Sequence, residues 1–362
     1  MRLTTIIAVL EKLAPPALAE SWDNVGLLIG DPDQDISCIL LTIDYSPAVA
    51  EEARLGKCDL VIAYHPPVFH PLKRFVAGNP VFEAVRRGVA IYSPHTALDV
   101  AEGGTNDMLA DVLGMTERKP LRLTEPKPTQ YKLVTFVPVD AVERVSRALF
   151  EAGAGNIGNY SSCSFRSAGT GTFFGQEGAQ PVVGKPGRLE QAQEVRLETV
   201  VPIGGMDAIV KALRQSHPYE EPAFDLNLLA PVATLRGQGR IGSIPPTARA
   251  DLFGRIKREL GIEHLLVAGP MEGTVTRVAA CAGACREFLD DARKAEAELY
   301  LTGELRHHDA VQAANAGMTV VCTLHSNSER PVLKRLRKRL EETAGMPTVR
   351  ISSADRDPFS VR

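Results

Sequence analysis

An α/β fold is what this sequence predicts: a mostly parallel sheet sandwiched by helices, built in two parts, with an inserted ferredoxin-like α+β domain between them. Three observations predict it. Short β-branched runs alternate with amphipathic helical stretches at both ends of the chain. In the middle the order changes to β-α-(β-β)-β-α-β, which resembles a ferredoxin-like plait. The change falls at Arg122-Leu123-Thr124-Glu125-Pro126-Lys127-Pro128-Thr129, a linker by its prolines and charges. The expected division is residues 1–127 and 233–362 for the outer domain and 128–232 for the insertion.

Composition is compatible with this and narrows the function classes. At 362 residues, 44% hydrophobic and 23% charged, the chain has the make-up of a soluble globular protein of two or three domains. A formal net charge of -3 gives no electrostatic case for wrapping nucleic acid or coating an anionic membrane. The basic run Lys334 to Arg339 is followed by acids and reads as a solvated helix face. Six cysteines without a CxxC pair fit reduced, mostly buried thiols and a cytoplasmic location. The apolar N-terminus is interrupted by Glu11 and Lys12 before a secretory or spanning segment is complete.

In chain order, Leu3, Ile6, Ile7, Leu10 and Leu13 carry helical spacing, and Pro15-Pro16 stops that helix. Ser21 to Asp31 passes through a polar turn into a strand. Trp22, the only tryptophan, is expected to plug a core, while Asp23 and Asn24 are turn formers or groups lining a crevice. Residues 36 to 44 form the next strand, 46 to 54 a helix, and Leu60 onward a buried strand ending at Tyr64 and His65. Pro66 and Pro67 then force Phe69 to Phe75 into a loop over the strand ends. A helix over 80 to 87 and a strand over 89 to 92 lead to His95 and Asp99. The glycines Gly103 and Gly104 precede a helix over 108 to 113 and form no phosphate-binding fingerprint, and no GxxxxGK[ST] motif is present.

Beyond the linker, 131 to 137 reads as an alternating strand and 140 to 152 as an amphipathic helix. Asn159 to Phe165 with Gly171 to Phe174 reads as a glycine-rich hairpin, 194 to 201 as a strand, 206 to 216 as a helix and 223 to 229 as a closing strand. Phe174 to Gly187 is expected to be a lid or tip. His217-Pro218-Tyr219-Glu220-Glu221-Pro222 reads as a turn, because its prolines hold it extended and no further ligand is near. After Leu229 the outer pattern returns, with a glycine turn at 237 to 240, helices over 248 to 260 and 285 to 295, and strands at 275 to 281 and from Leu299. Then His307-His308-Asp309 opens another helix.

The chemistry gathers at strand ends. A strand over 319 to 323 stops before His325, and Glu329 follows four positions later, so one helical turn puts imidazole and carboxylate on one face. Such a pair also arises as a solvated helix pair. Two other strands, however, end in ligand types, one at His65 and one at His95 and Asp99. In an open α/β sheet the carboxyl ends of parallel strands share one crevice, so the three ends can meet at one divalent ion. Mixed imidazole and carboxylate ligands suit Zn, Fe, Mn, Co or Ni. Glu304 and His307 are candidates for acid/base work or for orienting ligands, against a helix-capping role.

With these residues in place the chain resembles the Nif-three-like family, hexameric proteins with a dinuclear metal centre known as GTP cyclohydrolase I type 2 homologues. The carriers are SWDNVGLLIGD (21 to 31), YHPPVFHPLKR (64 to 74), HTALDVAEGGTND (95 to 107), LTGELRHHDA (301 to 310) and HSNSERP (325 to 331). The resemblance implies metal ligands at His65, Asp99, His325 and Glu329, with Glu329 as a bridge. It also exposes two departures: Tyr64 stands where the family has the first of two consecutive His, and Leu324 where it usually has Gly. A phenol with an ordinary pKa of about 10 ligates poorly at neutral pH unless an ion lowers it. One firm site and one weakened site are therefore expected, one or two ions per chain, with His70 carried outward by the prolines rather than replacing Tyr64. The resemblance further implies a homohexameric toroid and a metal-dependent hydrolase acting on a nucleotide-like or phosphorylated small substrate. The alternative is a non-catalytic metal-binding scaffold or regulatory assembly.

Overall fold

The computed structural model describes residues 1–125, 128–231 and 235–361; Pro126 and Lys127 of the expected linker and the expected boundary at 232 and 233 lie outside them. Contacts divide the chain into two units, Met1–Thr124 with Leu235–Arg362, and Glu125–Thr234. Both mix helices and strands, so the protein is α/β with several sheets.

The first unit holds two main sheets where the sequence suggested one. A five-stranded sheet runs Gly26–Ile29, Ala90–Ser93, Leu60–Ala63, Cys38–Thr42, Thr348–Ile351, parallel except for the first strand. Its three central strands, Ala90–Ser93, Leu60–Ala63 and Cys38–Thr42, are buried on both faces, as continuous apolar runs require. Ile39 and Leu41 pack with Leu3, Leu10 and Leu336 on one side, whereas Leu40 and Val61 pack with Val49 and Ala84 on the other. Each such buried Leu or Ile contributes roughly 1.5–3 kcal/mol. Helix ends here obey local rules. Asn79 caps Pro80–Arg87 by accepting from the N–H groups of Val81 and Phe82, and Gly88 closes it at φ +70°.

A six-stranded sheet runs Leu266–Ala268, Thr319–Cys322, Leu299–Thr302, Thr274–Cys281, Arg240–Ala248, Thr116–Lys119. Only the pairings among Thr319–Cys322, Leu299–Thr302 and Thr274–Cys281 are parallel, so "mostly parallel" does not describe this sheet. The antiparallel flanking strands are short, polar or proline-bearing, which is why periodicity missed them. A GxGxxG spacing does occur at Gly237 to Gly242, but it leads into the strand Arg240–Ala248 and offers no helix N-terminus to a phosphate.

In the second unit the sheet order is Phe224–Leu228, Gln130–Pro138, Leu189–Pro202, Ser164–Phe174, antiparallel throughout. Helices Val142–Glu151 and Met206–Ser216 cover one face through Val145, Leu149, Ile209 and Leu213. The expected hairpin within 159 to 174 is instead one continuous strand, Ser164–Phe174, paired along its length with Leu189–Pro202. Its glycines weaken the strand signal, yet an edge position beside a long partner tolerates them. Among the described residues no helix is long and apolar enough to cross a membrane.

Candidate metal centre

Three strand ends in the first unit supply the site. Leu60–Ala63 continues its ladder through the N–H groups of Tyr64 and His65, which donate to the carbonyls of Thr42 and Ile43, until Pro66 removes the next donor. Ala90–Ser93 turns at Pro94, and His95 takes φ +25° to open the helix His95–Val100. Thr319–Cys322 turns at Leu324, with φ +70° and ψ 154°, into His325–Glu329. Both non-glycine residues sit where side chains are strained, immediately beside the chemistry. The ends come from two different sheets, so a single sheet's crevice is not what unites them.

His65, His325 and Glu329 each offer a donor atom, and these lie within 4.8 Å of one another. The Glu329 side chain is 4% exposed; its Oε1 is 3.3 Å from Nε2 of His325 and its Oε2 is 3.3 Å from Nε2 of His65. Oε2 is buried and accepts no hydrogen bond. The opposite ring nitrogens are all engaged by carboxylates. His65 Nδ1 meets Asp44 Oδ1 at 2.9 Å, His325 Nδ1 meets Glu304 Oε1 at 2.9 Å, and His95 Nδ1 meets Asp23 Oδ1 at 2.7 Å. A carboxylate on Nδ1 fixes the ring and leaves Nε2 free to ligate, the usual support of a metal-bound histidine. The His95 ring centroid is 5.3 Å from that of His65.

The electrostatics call for a cation. Burial alone would lower the pKa of His65, but Asp44 and Glu329 hold it up at about 10. His325 is raised to about 9 by Glu329 and, against burial, by Glu304. Burial would raise Glu329, yet the two imidazoles outweigh it and keep the carboxylate ionised. Without an ion, protons supply the positive charge between these groups.

Of the predicted residues, the structure gathers His65, His325 and Glu329. Tyr64 and Asp99 pair with each other instead, the buried phenol donating to Asp99 Oδ1. Burial and the Asp99 and Glu329 charges push Tyr64 well above its ordinary range, so it is a neutral donor. Burial lifts Asp99 to about 6 despite the Tyr64 hydrogen bond. Glu304 backs His325, whereas His307 is exposed at the start of His307–Asn315 and its ring neighbour is His308. His70 is exposed, its ring against Phe69.

Sequence reasoning assigned no role to Asp44, named His95 only as a ligand type at a strand end, left Asp23 between turn former and crevice-lining group, and misjudged Trp22. Asp23 is no mere turn former: it also binds the Thr96 backbone N–H at 3.1 Å, and His95 and Thr96 keep its pKa lowered against burial. Trp22 plugs no core; it is 60% exposed, 6.0 Å from Phe69 and 6.1 Å from His95 between ring centroids. The turn that sends Asp23 inward leaves the indole outside. Gly283 is required at φ +78°, since a Cβ there would lie 2.9 Å from Glu329 Oε1.

An α/β chain of two units that gathers histidines and carboxylates at the ends of two sheets is a recognisable kind of protein. The chain belongs to the Duf34/NIF3 (NGG1p interacting factor 3) family, whose model matches residues 1–358. It is 35% identical over 366 residues to the GTP cyclohydrolase 1 type 2 homolog of Halalkalibacterium halodurans, covering 98% of each chain. The protein of that name in Mycobacterium tuberculosis is 35% identical, over 100% of this chain and 97% of the relative. Among solved structures, a Bacillus cereus protein related to NIF3 superposes with a TM-score of 0.71 at 33% identity, over 100% of this chain and 99% of that one.

Proposed function

We propose that this chain holds a divalent metal ion through His65, His325 and Glu329 and acts as a hydrolase on a nucleotide-like or phosphorylated small substrate. The observation that carries the reading is the convergence of two carboxylate-backed imidazoles on Glu329, whose Oε2 is buried without a hydrogen bond. When bound, the ion supplies Lewis acidity for activating water; Zn, Fe, Mn, Co and Ni all suit the donors. Asp44 and Glu304 hold the two rings, and Asp23 holds His95 as a third imidazole beside them. Glu304, half exposed on His325 Nδ1, is positioned to exchange a proton with solvent or substrate. His307 stays outside this set. The exposed rings of Trp22 and Phe69 offer a stacking surface for a heterocycle, which supports a nucleotide-like substrate. Metal-replete protein assayed against GTP and a panel of phosphate esters tests this. Turnover above a His325→Ala control is expected, and its absence overturns the reading.

Because Tyr64 is neutral and donates to Asp99, one firm site per chain is the expectation. Tyr64→His should raise bound metal toward two ions per chain by elemental analysis after identical loading; wild type already holding two would refute this. We further infer that Glu125–Thr234 is an inserted ferredoxin-like plait, supported by its strand order, and that the chain forms a homohexameric toroid of two trimers. Light scattering that returned a stable monomer mass would count against the assembly.

A further inference from the structure

In the unit Glu125–Thr234 one face of the sheet carries no helix. Leu133, Val137 and Leu197 pack beneath the two helices, so the alternate residues Phe136, Glu194 and Arg196 point the other way. Across the ladder, Ser167 pairs with Arg196 and Gly169 with Glu194, bringing Gly169 and Gly171 to the same face. That face is hollow rather than flat. A cavity of about 570 Å³ lies on it, floored by these strands and roofed by the segments around Pro181 and Tyr219. The roof is tied together, since the N–H of Gln180 donates to Glu220 Oε1 at 3.3 Å. The volume suits a small organic molecule.

Three carboxylates line this hollow, Glu194 on its floor and Glu220 and Glu221 in its roof. Glu194 is 9% exposed and accepts from the Tyr219 hydroxyl at 2.8 Å through Oε1. Burial and the neighbouring carboxylate keep that phenol protonated. Glycine is needed at 171, where a Cβ would fall 2.1 Å from Glu194 Oε2; at 169 a Cβ would meet nothing within 4 Å, so the strand leaves empty space there. The turn His217 to Pro222 carries Tyr219 over the carboxylate. His217 is buried, its Nε2 donating to the Phe136 carbonyl at 3.0 Å and its Nδ1 accepting from the Tyr219 N–H at 3.1 Å. Arg196 and Lys132, cations on this face, are both directed to Glu198, at 2.8 and 2.6 Å. The charge left facing the cavity is therefore negative, set among Phe136, Phe173 and Val182.

We propose that this cavity binds a small organic cation, an amine or amidine with an apolar and preferably aromatic body, whose charged head pairs with Glu194 and whose body lies over Gly169 against Phe136 and Phe173. A carboxylate in an apolar hollow rewards a cation that brings its own apolar surface, and an amidinium matches it with two parallel N–H bonds. The inference is independent of the metal reading, because every residue it uses lies in the other unit.

Benzamidine, with benzamide and benzoate as neutral and anionic isosteres, probes the site by calorimetry on the full chain. Benzamidine is expected to bind at least about tenfold more tightly than either isostere. Glu194→Gln should weaken it by about tenfold or more. Gly169→Leu, which fills the open space and leaves Glu194 in place, should abolish binding even if Glu194→Gln fails to fold, while His70→Ala, an exposed residue of the other unit, should leave it unchanged. Equal binding of benzoate, no binding of benzamidine, binding that survives Gly169→Leu, or binding lost in His70→Ala would each overturn the proposal.

Discussion

Two buried glutamates, one in each unit, receive opposite surroundings. Glu329 lies between two imidazoles that are themselves backed by Asp44 and Glu304, so almost every polar atom near it carries charge. Glu194 has one phenol for a partner and a wider cavity beyond it, walled by Phe136, Phe173 and Val182 with Glu220 and Glu221 in the roof. The difference teaches what each hollow selects. A dense, directional set of ligand atoms around an ionised carboxylate suits a bare cation, while a buried carboxylate that floors an open, partly apolar volume suits a cation that fills the volume itself.

The largest effect is expected from Glu329→Gln. Removing the central charge of a buried ionic cluster strands two imidazolium groups, at a cost of about 3–5 kcal/mol in the metal-free chain. Hydrogen exchange should localise that loss to the first unit. Glu194→Gln in the second unit keeps an oxygen that accepts from Tyr219 but exchanges a charge-assisted bond for a neutral one, and should cost only about 1–2 kcal/mol. Equal losses in the two variants would erase the distinction.

Next comes proton linkage. His65 and His325 are raised to about 10 and about 9 in the metal-free chain, above their ordinary value of about 6.5. Their pairing therefore stabilises that state fully below pH of about 6.5 and is lost as pH rises through about 9 to 10. A metal must displace both protons. Zinc affinity should rise up to about a hundredfold per pH unit between pH 6 and 8, with about two protons released per ion in calorimetry across buffers of different ionisation heat. Release near zero at pH 7 would show that these imidazoles are not the ligands. Benzamidine binding in the second unit should stay nearly flat over the same range, because no imidazole needs to lose a proton there.

Asp44→Asn should weaken zinc binding by about 10–100-fold, since the ring of His65 loses the carboxylate that orients it. Equilibrium dialysis measures this, and unchanged affinity would mean that Asp44 supports nothing. This residue also marks the limit of sequence reading. Buried strands such as Leu60–Ala63 and Thr319–Cys322 announce themselves as apolar runs that stop at His65 or just before His325, and the turn His325–Glu329 has helical spacing. Asp44 and Asp23, by contrast, lie 21 and 72 positions from the histidines they hold. No local spacing rule joins such pairs, because the sheet order creates the neighbourhood. The same holds for Thr116–Lys119 and Leu266–Ala268, short strands whose partners rather than their own pattern make them strands. Tyr64 was legible as a departure, but its role as donor to Asp99 was not, since that needs the turn at His95 to bring Asp99 back.

The smallest effect concerns backbone strain, and it too separates the two regions. Leu324 adopts φ +70° and ψ 154° directly before His325, a region that costs a residue with a Cβ about 1–3 kcal/mol. Leu324→Gly and Leu324→Ala both discard the half-buried side chain, so their difference isolates the backbone. Glycine normally trails alanine by about 0.5–1 kcal/mol because its unfolded chain is freer. At 324 the relieved strain should reverse that order and leave the Gly variant about 1 kcal/mol more stable than the Ala variant, read as the higher thermal midpoint of metal-free protein. At 169 in the second unit the backbone is not left-handed and an added Cβ meets open space. Gly169→Ala should therefore be neutral or slightly stabilising, the ordinary order. If alanine outperforms glycine at 324 as well, the turn before His325 is unstrained, and the leucine at a position where the family usually carries glycine has no energetic consequence.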